Sequence, residues 1–131
     1  MEEQLFHKNW QTKTLLIAED QDSNFKYLEI ALRQTHINII RALNGREAIT
    51  LCKDHTEIDL VLMDIKMPTV DGLEAVKEIR KFNKNLPIIA LTAYAMADDR
   101  EKSLQAGCND YVPKPVTREH LFTVLTSYLG E

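Results

Sequence analysis

Glu19-Asp20, Asp64, Thr92 and Lys114 are the positions whose side chains could do chemistry together. Three carboxylates brought to one place repel one another and are each pushed toward protonation. A divalent cation relieves that cost, and magnesium favours a few carboxylates plus water and a phosphate oxygen. Glu19-Asp20 alone says little, because acids often precede a helix simply to favour its N-terminus. Asp64 ends the apolar run Leu60-Val61-Leu62-Met63. Beside a cation such a carboxylate is a workable nucleophile toward phosphorus, although it could also merely open the turn through Met67-Pro68 and Asp71-Gly72. A hydroxyl at Thr92 can donate to a phosphoryl oxygen, or be a routine threonine at a strand end. Lys114 offers a positive charge or a solvated loop side chain; the Lys114-Pro115 bond is a place where a cis peptide would aim the lysine inward. Each residue is weakly informative alone, and their placement must come from the fold.

That placement is written in the apolar pattern. Short consecutive runs stand at Thr14 to Ala18, Ile37 to Ile40, Ile58 to Met63, Pro87 to Leu91 and, more weakly, Asp110 to Val112. Runs this short, without alternation, suit strands buried on both faces of a parallel sheet. Helical spacing lies between them: Phe25, Leu28 and Leu32 after Asp22 and Ser23, either of which can cap; Ala48, Ile49 and Leu51 after Asn44 with Glu47. The latter pair has the polar half of a capping box. Leu73, Val76 and Ile79 mark a third helix, Ala97 to Ala106 a fourth closed by Gly107 as a left-handed cap, and Leu121, Val124, Leu125 and Tyr128 a fifth capped by Thr117. Strand then helix five times over predicts an α/β fold, a (βα)5 doubly wound parallel sheet. Ligands gather at the carboxyl ends of such strands, where all of the residues above fall.

The bulk properties agree. A chain of 131 residues has room for one domain, and 44% hydrophobic with 27% charged residues is ordinary for a globular protein. A net charge of -4 argues against nucleic acid as a partner and against direct membrane contact. No apolar run approaches the ~20 residues needed to cross a bilayer, and Met1 to Lys13 lacks the apolar centre of a secretory signal. That segment reads as a linker or frayed end, 1–13, ahead of a domain at 14–131; Phe6 and Trp10 are its only sizeable aromatics and could pack on the domain. Cys52 and Cys108 have no metal-ligand spacing; a disulfide between them stays open, and buried or half-buried thiols of a cytoplasmic protein are the preferred reading.

From Thr14 to Leu129 the sequence resembles the receiver domain of response regulators and hybrid histidine kinases, the CheY-like superfamily. The likeness rests on Leu16-Ile17-Ala18-Glu19-Asp20, on Leu62-Met63-Asp64-Ile65-Lys66-Met67-Pro68 with Asp71-Gly72, on Leu91-Thr92-Ala93, and on Asp110-Tyr111-Val112-Pro113-Lys114-Pro115. It implies a flavodoxin-like five-stranded sheet in the order 2-1-3-4-5. It implies that Asp64 is the phosphoacceptor, that Glu19, Asp20 and Asp64 approach Mg²⁺, and that the backbone carbonyl of Lys66 completes the protein ligands. Thr92 and Lys114 would hold phosphoryl oxygens, with Pro115 in a cis peptide. Tyr111 matches an aromatic whose ring turns inward when the hydroxyl of Thr92 moves toward phosphate. Glu19 stands where many relatives carry Asp, which keeps a carboxylate, acting through water.

The same resemblance implies a phosphorelay: a phosphoryl group passes from a phosphohistidine, on a histidine kinase or a histidine phosphotransfer domain, to Asp64. The domain would catalyse its own phosphotransfer and dephosphorylation, as a monomer or a phosphorylation-dependent dimer. Its location would be the cytoplasm, either free or as the cytoplasmic part of a membrane sensor kinase. Ser23-Asn24, the stretch Ile89 to Met96, Asp99-Arg100 and Ala106-Gly107-Cys108 look most like receivers of hybrid sensor kinases. Three other readings share the fold or the chemistry, one of them a degenerate receiver serving only as a docking surface, which the filled acidic and phosphate-contacting positions disfavour. A flavodoxin-like binding module needs phosphate donors in its first loop, where this chain has Glu19-Asp20-Gln21-Asp22. A haloacid-dehalogenase-type phosphohydrolase resembles Asp-x-Asp at its nucleophile, whereas Lys66 stands two residues after Asp64.

Overall fold

The structure is a computed structural model that describes residues 6–67, 70–93 and 97–130. Pro68, the stretch 94–96 and the side chain of Asp99, all part of the motifs above, lie outside the described residues. Five strands, β1 (Thr14–Ala18), β2 (Asn38–Ala42), β3 (Leu60–Asp64), β4 (Ile88–Thr92) and β5 (Asp110–Pro113), alternate with five helices. These are α1 (Asp22–Leu32), α2 (Gly45–Asp54), α3 (Gly72–Phe82), α4 (Ala97–Ala106) and α5 (Arg118–Leu129), with a 3-10 turn at Arg33–Thr35 after α1. Every strand pair is parallel, and the order is β2-β1-β3-β4-β5. The fold class and strand order expected from the sequence are therefore those observed.

Apolar residues run without a break in β1, β3 and β4 because both faces of the sheet are covered. On one face Leu16, Ala18, Val61, Met63, Ile88 and Ala90 meet side chains from α2, α3 and α4. On the other, Leu15, Ile17, Leu60, Leu62, Ile89 and Leu91 meet α1 and α5. Successive residues point to opposite faces, so each apolar run feeds two cores at once.

Helix starts follow local hydrogen bonding. Asn44 and Asp71 accept the backbone N–H of Glu47 and Glu74 at 2.8 and 2.9 Å, and Thr117 accepts that of His120 at 3.1 Å. The Glu47 carboxylate reaches back to the Leu43 N–H at 2.8 Å, one residue further out than an ordinary capping box. α1 departs from expectation. Its N-cap is Gln21, with no side-chain cap bond, and Asp22 and Ser23 already lie inside the helix. Asp22 is drawn instead to Arg41 on β2, at 2.8 Å. Gly107 ends α4 with a φ of +119°, a conformation in which a side chain would be strained and would meet Arg80.

Both cysteines are buried and free, and burial pushes each thiol up to about 12. They remain protonated and serve as small apolar groups beside Arg80, whose guanidinium donates to the carbonyls of Gly107 and Asn83 and to the Asn109 side chain.

The segment ahead of β1 has no periodicity, yet its described part is packed. Trp10 is 1% exposed, stacks on Phe122 at 5.8 Å, and donates from Nε1 to the Gly130 carbonyl at 3.0 Å. Phe6 meets Phe122 edge-on at 5.2 Å, under the guanidinium of Arg118 at 4.1 Å. The backbone of Trp10 donates to Thr35 at 2.7 Å, and that of Asn38 to Lys13 at 3.0 Å, which ties the segment to the start of β2. Trp10→Ala should cost about 3–5 kcal/mol in urea unfolding, the usual range for emptying a buried aromatic site. A loss below about 1 kcal/mol would mean that the segment adds nothing to the fold.

Candidate functional site

A parallel sheet puts the carboxyl ends of all five strands on one edge. Asp64 and Thr92 are the last residues of β3 and β4, and they are 3% and 5% exposed. Glu19 follows β1, donates its N–H to Ala42 at 3.0 Å and is 1% exposed. Asp20 is half-buried beside it. Lys114 follows β5, with its backbone N–H on the Thr92 carbonyl at 2.7 Å. The turn after β3 is drawn in by Gly72, whose N–H donates to Ile65 at 2.9 Å. A Cβ on Gly72 would collide with the Asp64 carbonyl oxygen and lie 2.7 Å from the Ile65 Cα. Only glycine allows that approach.

One carboxylate oxygen each from Glu19, Asp20 and Asp64 lies within 4.8 Å of the other two. Lys114 reaches into the cluster, with Nζ 3.0 Å from Asp64 Oδ1 and 3.8 Å from Glu19 Oε2. The Lys66 N–H donates to Asp64 Oδ1 at 3.2 Å. Asn24 Nδ2 donates to Glu19 Oε1 at 2.9 Å. Glu19 Oε2 is buried and has no hydrogen-bond partner among the described residues. An orphaned buried acceptor beside two further carboxylates fits a hard divalent cation, which takes oxygen ligands. Burial, followed by contact with the Asp64 carboxylate, raises the Glu19 carboxyl from 4.5 to about 7. A cation there would reverse that shift.

Asp64 opens onto a cleft of about 220 Å³ that is also lined by Lys66, Thr92, Lys114, Gln21 and Lys102. Glu19, Asp20, Asp64, Lys66, Thr92 and Lys114 thus meet at one edge. Pro115, in a cis peptide with Lys114, faces a second hollow of about 350 Å³ beside Tyr27 and Val116. Tyr111 lies outside the cleft. It pairs with Ala90 in the body of the sheet, packs against the core on the Ala90 side, and has the Arg100 guanidinium 5.6 Å from its ring. Ala90 and Thr92 are two residues apart on one strand, so Thr92 and Tyr111 share a face.

Three contributors are not evident from residue type and spacing. Arg41 grips the Glu19 carbonyl with Nε and Nη2 at 3.1 and 3.0 Å. Asn24 orients the Glu19 carboxylate, and Lys102 enters the cleft wall from α4. A lone arginine on an edge strand or a lysine in a charged helix carries no signal in sequence, because its target is distant along the chain.

Comparison with known proteins agrees with this geometry. The family model for the response regulator receiver domain matches residues 15–126. The chain belongs to this family. It is therefore a receiver domain of two-component signalling, with an acidic pocket at the strand ends. It is 37% identical to the polar-differentiation response regulator DivK of Brucella anthropi over 121 residues, 91% of this chain and 98% of that protein. A co-crystal structure of the Saccharomyces cerevisiae histidine phosphotransfer protein Ypd1 with the receiver domain of Ssk1 matches at a TM-score of 0.87 and 34% identity, over 93% of this chain and 92% of that one. The receiver of the sensor histidine kinase PA1611 from Pseudomonas aeruginosa, solved with magnesium in its active-site cleft, matches at 0.82 and 36%, over 91% and 98%. Membership sets aside the flavodoxin-like and phosphohydrolase readings. No helix among the described residues is long and apolar enough to cross a membrane.

The Glu19 shift gives a pH test. In chelator, the unfolded chain releases this proton near 4.5 and the folded one near 7. The unfolded state therefore binds fewer protons across that window, and stability falls as pH rises. Glu19→Gln should lack this fall, so its advantage over the wild type should grow from pH 4.5 to 7 and then level off. Parallel melting-temperature profiles for the two proteins would assign the titration elsewhere.

Proposed function

We propose that Asp64 accepts a phosphoryl group from a phosphohistidine on a histidine kinase or histidine phosphotransfer protein, with Mg²⁺ held by Glu19, Asp20 and Asp64. The observation that carries this is the convergence of three carboxylates within 4.8 Å, with Lys114 3.0 Å from Asp64. An Asp64 carboxylate oxygen attacks phosphorus, and the bond from phosphorus to the histidine nitrogen breaks. The electron pair of that bond stays on the imidazole of the donor, and the product is an acyl phosphate on Asp64. The cation, when bound, offsets the charge that gathers between nucleophile and phosphoryl oxygens. Glu19 and Asp20 hold it, and the Lys66 carbonyl would complete the protein ligands.

Lys114 and the Thr92 hydroxyl supply donors to the phosphoryl oxygens on the cleft side of Asp64. Movement of Thr92 toward phosphate would vacate room on the sheet face that it shares with Tyr111, and the ring of Tyr111 would fill it. The result is a shift in a two-state balance that a partner can read. The net charge of -4 speaks against nucleic acid as that partner. The cytoplasm, where histidine kinases present their phosphoryl group, is the place of action.

Acetyl phosphate with Mg²⁺ should add one phosphoryl group, released by hydroxylamine as an acyl phosphate is. Asp64→Asn should abolish the addition. A label that survives hydroxylamine, or persists in Asp64→Asn, would exclude Asp64 as the acceptor. Lys114→Ala should still be phosphorylated but lose most of the amide-shift change that beryllofluoride causes between residues 93 and 120, and Thr92→Ala should behave likewise. The full wild-type shift pattern in Lys114→Ala would remove the relay from phosphate to Tyr111.

A further inference from the structure

We infer that Arg41 is a positioning residue for the acidic cluster: it clamps the connection from β1 to α1 so that the Glu19 carboxylate is presented beside Asp20 and Asp64. The inference rests on the reading that this cluster holds a divalent cation. Arg41 lies on the edge strand β2, opposite Ile17, with its side chain 22% exposed. Its Nε and Nη2 both donate to the Glu19 carbonyl, at 3.1 and 3.0 Å. Its Nη1 meets Asp22 Oδ1 at 2.8 Å, and its guanidinium carbon sits 4.5 Å from the Phe25 ring centre. One side chain therefore ties the residue that follows β1 to the first turn of α1.

Each of these contacts has a different weight. The Asp22 side chain is 92% exposed, so that ion pair is screened and holds little. The fork on the Glu19 carbonyl is partly buried and needs a planar group with parallel donors, which lysine lacks. Because α1 starts without a side-chain cap, no capping bond secures this turn. Asn24 completes the arrangement by donating to Glu19 Oε1, which leaves Oε2 without a hydrogen bond, 3.8 Å from Lys114 Nζ.

Position and charge make opposite predictions. A guanidinium near a cation site repels the cation, so if charge were its main effect, removing it would tighten binding. If Arg41 positions the carboxylates, removing it loosens binding, as losing an outer partner of a metal ligand does. Calorimetric titration of Mg²⁺ into the unphosphorylated protein, well below each variant's melting temperature, separates the two. Arg41→Met should bind about 10-fold more weakly or worse, and Arg41→Lys, which keeps the charge, should also weaken. Asp22→Asn should stay within roughly two-fold of the wild type. Should Arg41→Met lose its fold, the folded Arg41→Lys carries the test. Binding by both Arg41 variants that matches or exceeds the wild type overturns the positioning role. A wild type that takes no Mg²⁺, or an Asp20→Asn variant that binds it equally well, overturns the cation reading itself and leaves Arg41 nothing to position.

Discussion

Crowding of negative charge at one sheet edge is the constraint that the rest of the molecule answers. Two unit charges 4.8 Å apart repel by roughly 3 kcal/mol at the effective dielectric of a protein surface, and the cluster has three such pairs. Glu19 and Asp64 are buried as well, which removes the water that would screen them. Lys114 supplies one positive charge, nearer to Asp64 than to Glu19, while burial first and the Asp64 carboxylate second raise the Glu19 carboxyl to about 7. An arrangement that unfavourable persists only where the backbone is held from elsewhere.

The holding is divided between the two ends of the sheet. At the carboxyl edge, Gly72 lets α3 press against the end of β3, and Arg41 ties the Glu19 carbonyl to β2. At the opposite end, Arg80 bridges α3 to the loop before β5, and Trp10 joins the 3-10 turn before β2 to Gly130, which follows α5. Two apolar cores run between those ends, one on each face. Repulsion is concentrated where a ligand can relieve it, and apolar packing is concentrated where none is needed. Among the described residues, the buried side-chain polar atoms without a hydrogen bond are Glu19 Oε2 at this edge and Thr126 Oγ1 in α5.

The family likeness to DivK and to the Ssk1 receiver places this chemistry in two-component signalling. Glutamate is one methylene longer than aspartate; here Asn24 donates to Oε1, and Oε2 lies 3.8 Å from Lys114 Nζ without a hydrogen bond.

Strand positions, helix positions and the parallel sheet were legible in the order of residues alone. Buried parallel strands must be continuously apolar, and β1 and α4 begin and end where Thr14 to Ala18 and Ala97 to Ala106 indicate. Asn44 and Thr117 were legible as caps because their partners lie three residues away. The acids and Lys114 could be read as strand-end residues for the same local reason. Contacts between distant positions were not legible. Asp22 forms no cap because it already lies inside the helix, where its carboxylate meets Arg41, nineteen positions on. Trp10 is buried because Phe122 and Gly130, more than a hundred residues later, return beside it. Periodicity reports which face of an element is apolar, whereas the partner of a single side chain is decided only when separate elements close on one another. The sequence by itself therefore determined the sheet and which residues stand at its working edge; the tertiary structure alone decided how close their charges come and which groups hold them there.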